Sequence, residues 1–468
     1  MIYKSIIFFL KYNLKFKFYN QLKILSNNIN LIFKNSNQEI KKILLNKKIR
    51  TRDKKITFID ALCYIFNYSF IDSTKQSVVS NYNFDNNISV NRSNFYKKEL
   101  KIPVSFYNDI FIKIKQLTDK YLNKNQNPFN VIAVDGTYTN TNIYNNKKLE
   151  TCLNMGYYDA TNHIPIELEI KGTEFKNKEI ESFLNYINKN DLKIENLILV
   201  FDRAYFSYDF IKSLENYNLK YVIRVKNNCL CINDKKQIKE KLNNEKTRFI
   251  TYTDTITYYK KDNDNKDTKL EETIKCYLAT NLSDENYSDD LIKKIYCMRW
   301  DVEIFFKLVK SNFNFARLRE HNFNTMEQYK KKYLIILINL YLVRLIECVY
   351  DKYNINKKKT KVKNKYNYNI KHNNTLMITG LKKIINPIIK SELEMDDLIS
   401  YCDCFIVKTN TIKDISNPRI SKTPFTKWYI MSYSDYYKYK KIIESIKNND
   451  LSSLNKNLKL LASNIKII

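Results

Sequence analysis

What this chain has little of narrows its reading first. No CxxC pair occurs among its nine cysteines, and the two CxC pairs, Cys229/Cys231 and Cys402/Cys404, lack the spacing of a structural zinc site. Cysteines scattered in this way suit small buried residues in a reducing compartment. The three histidines, His163, His321 and His372, form no recognisable base-and-nucleophile arrangement. Residues 1–20 carry a lysine every few positions, which leaves no clean apolar centre for a secretion signal. Residues 333–350 approach the length of a membrane span but contain Arg344 and Glu347, so they read as a buried bundle helix, and no transmembrane segment is expected. No internal repeat is found. Only four glycines and eleven arginines occur in 468 residues.

What is abundant is lysine. With 80 Lys+Arg against 49 Asp+Glu, the formal charge is +31, which points to a polyanionic partner. Part of that charge reflects a composition saturated with Lys, Asn, Ile and Tyr, whose codons are A/T-rich. Such a bias favours Lys wherever a solvated charge suffices, so the remaining arginines mark positions that need a planar, bidentate donor. Five of them, Arg203, Arg224, Arg299, Arg317 and Arg319, lie in the middle of the chain. The same logic singles out Gly136, which directly follows Asp135. A hydrophobic content of 44% makes the chain globular, and its length allows two or three domains.

Residues 1–128 read as a helical region with apolar residues at helical spacing. Two short polar-capped stretches inside it, residues 72–82 and 91–100, suit a DNA-binding bundle of helix-turn-helix type or a plain helical cap. As a fragment, this region is expected to fold and bind DNA on its own. From residue 129 the texture changes to strands. "FNVIAVDGTY" is an apolar run ending in Asp-Gly, a strand-to-turn signal. The pattern that follows is β-β-β-α-β-α-β, beginning with an antiparallel meander, with Ser207 expected to cap the second helix. Residues 129–226 thus form one part of an α/β core and residues 286–350 a second. Residues 227–285 carry β-favouring pieces around a charged loop and read as a β insertion. Residues 353–376 are low-complexity and read as a solvated loop, and the last ~90 residues of the 351–468 region as mostly helical.

The candidate chemistry rests on three carboxylates. Asp135 and Asp202 each end an apolar strand, and functional groups collect beyond the carboxyl ends of parallel strands. Strands one and four, if parallel neighbours, bring both to one edge of the sheet. Glu303 lies on the segment "YCMRWDVEIFFKLVK", residues 296–310, which is apolar over most of a helical circumference. Its polar residues Tyr296, Arg299, Glu303, Lys307 and Lys310 fall within roughly 80° of arc. Salt bridges four residues apart within that stripe are one account of it; a cation-and-phosphate site is the other. Three carboxylates brought together repel unless cations are bound, and Mg²⁺ or Mn²⁺ is the hard, oxygen-preferring ion that fits. Two ions would flank a scissile phosphate.

At these residues the sequence resembles the DDE transposases of insertion sequences, in the group with a Tyr-Arg-Glu-Lys signature. Tyr296, Arg299, Glu303 and Lys310 match the signature spacing without a gap. "VIAVDGT" and "LVFDRAYFSYDFI" resemble the two aspartate motifs, "YVIRVKNN" a following Arg-containing strand, and "CYLATNL" the strand leading into the catalytic helix. The resemblance covers roughly residues 129–345. It implies an RNase H-like catalytic core with a β-strand insertion, flanked by helical N- and C-terminal regions. It implies Asp135, Asp202 and Glu303 as catalytic metal ligands, and Tyr296, Arg299, Lys310 and Arg203 as contacts to DNA; Lys307, on the same stripe, joins them. It further implies cleavage at the ends of a mobile element and strand transfer into a target, on double-stranded DNA, by an intracellular homodimer. Two departures stand out: Ala204 replaces a glycine found in many relatives, and neither Trp falls in the β insertion. Trp300 reads as core. A domesticated or inactive DNA-binding copy and a structure-specific nuclease on the same core remain as alternatives.

Overall fold

The computed structural model describes residues 2–46, 56–71, 73–122, 129–141, 150–175, 178–189, 196–225, 247–261, 267–315, 325–353, 368–404 and 406–410. Residues Cys229, Cys231, Arg317 and Arg319, the 354–367 part of the low-complexity stretch and residues 411–468 lie outside them.

Five helices come first: α1 (Ile2–Asn46), α2 (Phe58–Ser69), α3 (Lys75–Asp85), α4 (Arg92–Lys101) and α5 (Val104–Tyr121). Local chemistry starts two of them. Thr57 with Asp60 and Thr74 with Ser77 form reciprocal capping boxes that satisfy amides at the first turns of α2 and α3. The strands follow as β1 (Asn130–Thr141), β2 (Glu150–Asp159) and β3 (Ile164–Ile170), then α6 (Glu179–Lys189), β4 (Leu197–Phe201), α7 (Tyr208–Asn216) and β5 (Lys220–Val225). This is the element order read from the sequence, and the Ser207 hydroxyl does accept from the Phe210 amide at the start of α7.

β6 (Arg248–Lys261) and β7 (Asp267–Thr280) complete a seven-stranded mixed sheet in the order β3-β2-β1-β4-β5-β7-β6. The expected insertion is therefore continuous with the sheet: β7 pairs antiparallel with β5 from Val222↔Thr280 to Val225↔Tyr277. Both faces of the central strands are covered, which is why β4, "LILVF", is buried at every position. Ile132, Val134, Leu199 and Phe201 pack against α6 and α7 on one face. Val131, Ile198, Val200 and Val222 line the other, beneath α8 (Asp289–Cys297).

Three helices complete the order besides α9 (Trp300–Asn312): α10 (Thr325–Tyr353), α11 (Asn374–Lys390) and α12 (Met395–Cys404). The length and composition of α10 suit a membrane span, but 83% of its apolar window is buried in the fold. It forms one core with helices from both ends of the chain. Phe111 of α5 meets Tyr341 edge-on at 5.2 Å. The Asn37 side-chain amide on α1 donates to the Ile389 carbonyl on α11 at 2.9 Å. The described helices α1–α5 thus share one buried cluster with α10 and α11. Within the stretch read as loop, β8 (Tyr368–His372) pairs with β9 (Ile406–Asn410), and α11 begins at Asn374.

Candidate active site

Register builds the first half of the site. β1 and β4 run parallel with Val134 opposite Phe201, so Asp135 and Asp202 are the next residues on neighbouring strands. Asp202 follows the end of β4, as expected. Asp135 does not end its strand: β1 continues to Thr141 because β2 pairs with it the whole way, with Asp135 opposite Gly156. The Asp-Gly signal thus marks the place where β4 stops, not a turn.

The striped segment is two helices, not one. α8 ends at Cys297 and α9 starts at Trp300. Short i→i+3 bonds, Arg299 N–H to Tyr296 at 3.0 Å and Asp301 N–H to Met298 at 3.1 Å, tighten the backbone between them. Tyr296 therefore sits at the end of α8, 1% exposed, inside the core rather than on an open face. Burial pushes its hydroxyl pKa up. Trp300 is half-buried rather than core, and Lys307 lies over its ring at 4.9 Å. Ile304, read as apolar core, is exposed.

Arg299, in the joint, connects the two halves. Its Nη2 donates to Glu303 Oε1 at 2.6 Å, and its Nη1 lies 3.8 Å from Asp135 Oδ2. The guanidinium carbon stands 5.9 Å from the centre of the Tyr296 ring. The residue is 5% exposed, and among the described residues Nη1 has no hydrogen-bond acceptor. Burial opposes its charge, but Tyr296, Asp202 and Glu303 outweigh that and raise its pKa. The Asp135 pKa is raised as well, which for an acid disfavours the charged form. Burial pushes its carboxyl up to about 7, Glu179 and Asp202 add to the rise, and Arg299 and the Gly136 amide oppose it.

Lys310, three turns along the same face, donates to Thr137 Oγ1 at 2.6 Å. Thr137 is two residues beyond Asp135 on β1, hence on the same side of the sheet. Burial lowers the Lys310 pKa and Asp135 resists the change. Lys307 and Arg203 are both exposed, Arg203 in the turn that follows Asp202. Thus Asp135, Asp202, Arg299, Glu303 and Lys310 share one edge, Tyr296 lies beneath Arg299, and Lys307 and Arg203 stand outside.

One acidic residue escaped the sequence reading. Glu179, at the first turn of α6, packs against Gly136 so closely that a Cβ there would lie 2.5 Å from Glu179 Cδ. The Tyr138 hydroxyl donates to Glu179 Oε1 at 3.4 Å. Burial raises the Glu179 pKa, the Tyr205 and Tyr138 hydroxyls oppose the rise, and Asp202 adds to it. Only Gly136 itself, one of four glycines, hinted that something must come close there.

The donor set is all carboxylate oxygen, the chemistry that hard divalent cations prefer. The buried setting, which makes Asp135 costly to ionise, is one that a cation would relieve. With the Arg299 guanidinium between Asp135 and Glu303, no three acidic, His or Cys side chains among the described residues are gathered closely enough to hold a metal as they stand. The donor chemistry fits, and a cation would take the place the guanidinium fills.

The α9 terminus is fixed from the helical side. Phe313 bridges Phe70, and the Asn314 side-chain amide donates to the carbonyls of Tyr68, Phe70 and Ser73 at 2.8, 2.9 and 3.1 Å. Elsewhere the six cysteines with described surroundings are buried.

Comparison with curated proteins gives no match. Residues 126–340, which hold the whole seven-stranded sheet together with Asp135, Asp202 and Glu303, match the family model of the transposase DDE domain, a match that supports a transposase function.

Proposed function

We propose that this protein is a DDE transposase of the Tyr-Arg-Glu-Lys group that cleaves DNA at the ends of a mobile element and joins the freed end to a target. The observation that carries the reading is the convergence of Asp135 and Asp202 from adjacent parallel strands with Glu303 of α9, linked through one buried arginine. The strand order β3-β2-β1-β4-β5, with β7 and β6 appended, supports an RNase H-like core.

In this reading Asp135, Asp202 and Glu303 hold Mg²⁺ or Mn²⁺, two ions in all. Bound there, such ions would supply Lewis-acid stabilisation of developing negative charge. The chain's own groups bind and orient the strand. Arg299 offers a planar fork whose Nη1 has no hydrogen-bond acceptor among the described residues, and phosphate oxygens suit such a fork. Lys310, partly buried beside Asp135, adds a point charge at the same edge, and exposed Lys307 and Arg203 extend it outward. Tyr296 acts from below by supporting the guanidinium. The reaction is two in-line displacements. Water attacks the phosphodiester and a strand ending in 3′-OH leaves; that hydroxyl then attacks a target phosphodiester, releasing a target 3′-OH. No bond to the protein forms.

The partners are double-stranded element ends and target DNA, bound by a homodimer in an intracellular, DNA-associated setting. The capped helix α3, the neighbouring α4 with Lys98 and Lys101 in its last turn, and the net charge of +31 support DNA contacts from the helical region. The test is a strand-transfer assay with duplexes from the DNA flanking the gene. Cleaved ends joined covalently to a plasmid are expected. Cleavage without joining would make the protein a nuclease on the same core. Binding without cleavage in either metal would make it a DNA-binding copy.

A further inference from the structure

Arg299 is placed where it obstructs as well as assists. It is buried, it donates at 2.6 Å to Glu303, and its second nitrogen lies 3.8 Å from Asp135, too far for a hydrogen bond. That nitrogen is a buried donor beside the Asp135 carboxylate, lacking an acceptor within hydrogen-bond distance among the described residues. A buried donor left so is costly and marks a place where a partner is missing.

The Coulomb balance gives the partner's chemistry. Glu303 at 2.6 Å and Asp135 at 3.8 Å flank one guanidinium, whose charge Asp202 also favours, so the carboxylates already hold a monovalent cation. A divalent cation drawn to the same oxygens meets Arg299 both as a competitor for Glu303 Oε1 and as a like charge. An anion at Nη1 removes both obstacles: it accepts the orphan donor and turns the fork away from the acids. Lys310 is not equivalent, because its ammonium is engaged by Thr137 on β1. The joint between α8 and α9 leaves Arg299 without a capping bond of its own side chain to a helix end, so the guanidinium is held only by the groups around it.

We infer that Arg299 is an exchangeable counter-cation, a positioning residue that holds Asp135 and Glu303 until a phosphodiester oxygen takes its guanidinium, so that DNA and the divalent cation enter the site together. This rests on the reading of the three carboxylates as the metal-binding group. Its consequence is reciprocal: DNA tightens the cation, and the cation tightens DNA. A protein free of DNA keeps its acids neutralised and takes up metal poorly.

The experiment is Mn²⁺ binding to the full-length protein, followed by the electron paramagnetic resonance of free Mn²⁺, without DNA and with a mixed-sequence duplex at low salt. Without DNA, Arg299→Gln is expected to bind Mn²⁺ about tenfold more tightly than wild type, a coupling within the usual range for linked sites. With duplex, wild-type affinity rises towards that of the variant, while the variant's does not change. Arg299→Met, which keeps an unbranched apolar stem without charge, serves if the Gln protein is misfolded by circular dichroism. Equal or weaker Mn²⁺ binding by folded Arg299→Gln or Arg299→Met overturns the inference, as does a wild-type affinity indifferent to duplex. Adding Asp135→Asn or Glu303→Gln to the Arg299 variant separates the two layers. Loss of the gained affinity supports both, whereas Mn²⁺ binding that survives both additions removes the carboxylate reading itself.

Discussion

Val134 and Phe201 are register partners in parallel strands, and this single pairing sets Asp135 beside Asp202. Neither aspartate reaches Glu303 through the chain, since 101 residues separate Asp202 from Glu303. The meeting depends on α9 lying across that edge, with Arg299 spanning the gap.

Glu303→Gln keeps the size and the hydrogen-bonding capacity of the side chain and removes its charge. Cleavage of end DNA is expected to fall by at least ~10²-fold, the equivalent of roughly 3 kcal/mol of lost transition-state stabilisation. Binding to the same DNA is expected to change little, because contacts elsewhere persist. The check is a gel-shift titration beside a cleavage time course; wild-type cleavage would remove Glu303 from the catalytic set.

Arg299→Lys preserves charge and loses the fork. One ammonium does not span a 2.6 Å bond to Glu303 and a 3.8 Å approach to Asp135 as a planar group does. Cleavage is expected to fall about tenfold or more, with the helices intact by circular dichroism. Equal rates for the two proteins would reduce Arg299 to an ordinary salt-bridge partner.

Asp135 links stability to pH. Burial pushes its carboxyl up to about 7, whereas the unfolded chain titrates near ~4. Between those values the folded form binds more protons, so this group's stabilising contribution is complete at low pH and is lost as pH rises through about 7. In metal-free buffer, the Tm of wild type relative to Asp135→Asn should therefore decline from about pH 5 to about pH 8. A constant difference across that range would show that Asp135 ionises normally in the fold.

Gly136→Ala tests the unforeseen acid. The added methyl carbon would lie 2.5 Å from Glu179 Cδ and 2.9 Å from its Cγ, near the end of a flexible side chain rather than backbone. The carboxylate is expected to swing away from Tyr138, with a stability loss of no more than about 1 kcal/mol, below the usual cost of overpacking. In a Glu179→Ala background, Gly136→Ala should cost nothing further. Chemical denaturation of the four proteins in this cycle measures the coupling.

The isolated segment 1–128 is expected to lack a cooperative melt and to bind a hydrophobic dye. Its helices bury their faces against α10 and α11, and Lys331, fully buried on α10, stands 3.8 Å from buried Glu99 on α4. Co-expression with residues 286–410 should restore a soluble complex. A sharp thermal transition in the fragment alone would return it to the status of an independent unit.

Much of this was legible one residue at a time. Alternation and apolar runs marked β1, β4 and β5, because strands covered on both faces must be apolar throughout. Capping chemistry placed Ser207 at the start of α7, and helical spacing grouped Arg299, Glu303 and Lys310. Those signals are local, and local geometry enforces them. The joint at Met298–Arg299 was not legible, since its residues have helical dihedrals and differ from a helix only in hydrogen-bond spacing.

Burial and partnership were decided by packing between distant segments. Tyr296 lies on a polar stripe in sequence, yet α8 sets it in the buried cluster that includes Val222 and Leu278. Asp-Gly looks like a turn, yet β2 holds it in a strand through long-range hydrogen bonds. Glu179 belongs to an ordinary amphipathic helix until α6 sets it on Gly136, 43 residues earlier. A sequence carries the chemistry of each side chain and the period of each element. Which charges share a buried space, and so compete for one arginine, follows only when the sheet and the helices from both ends of the chain exclude water together.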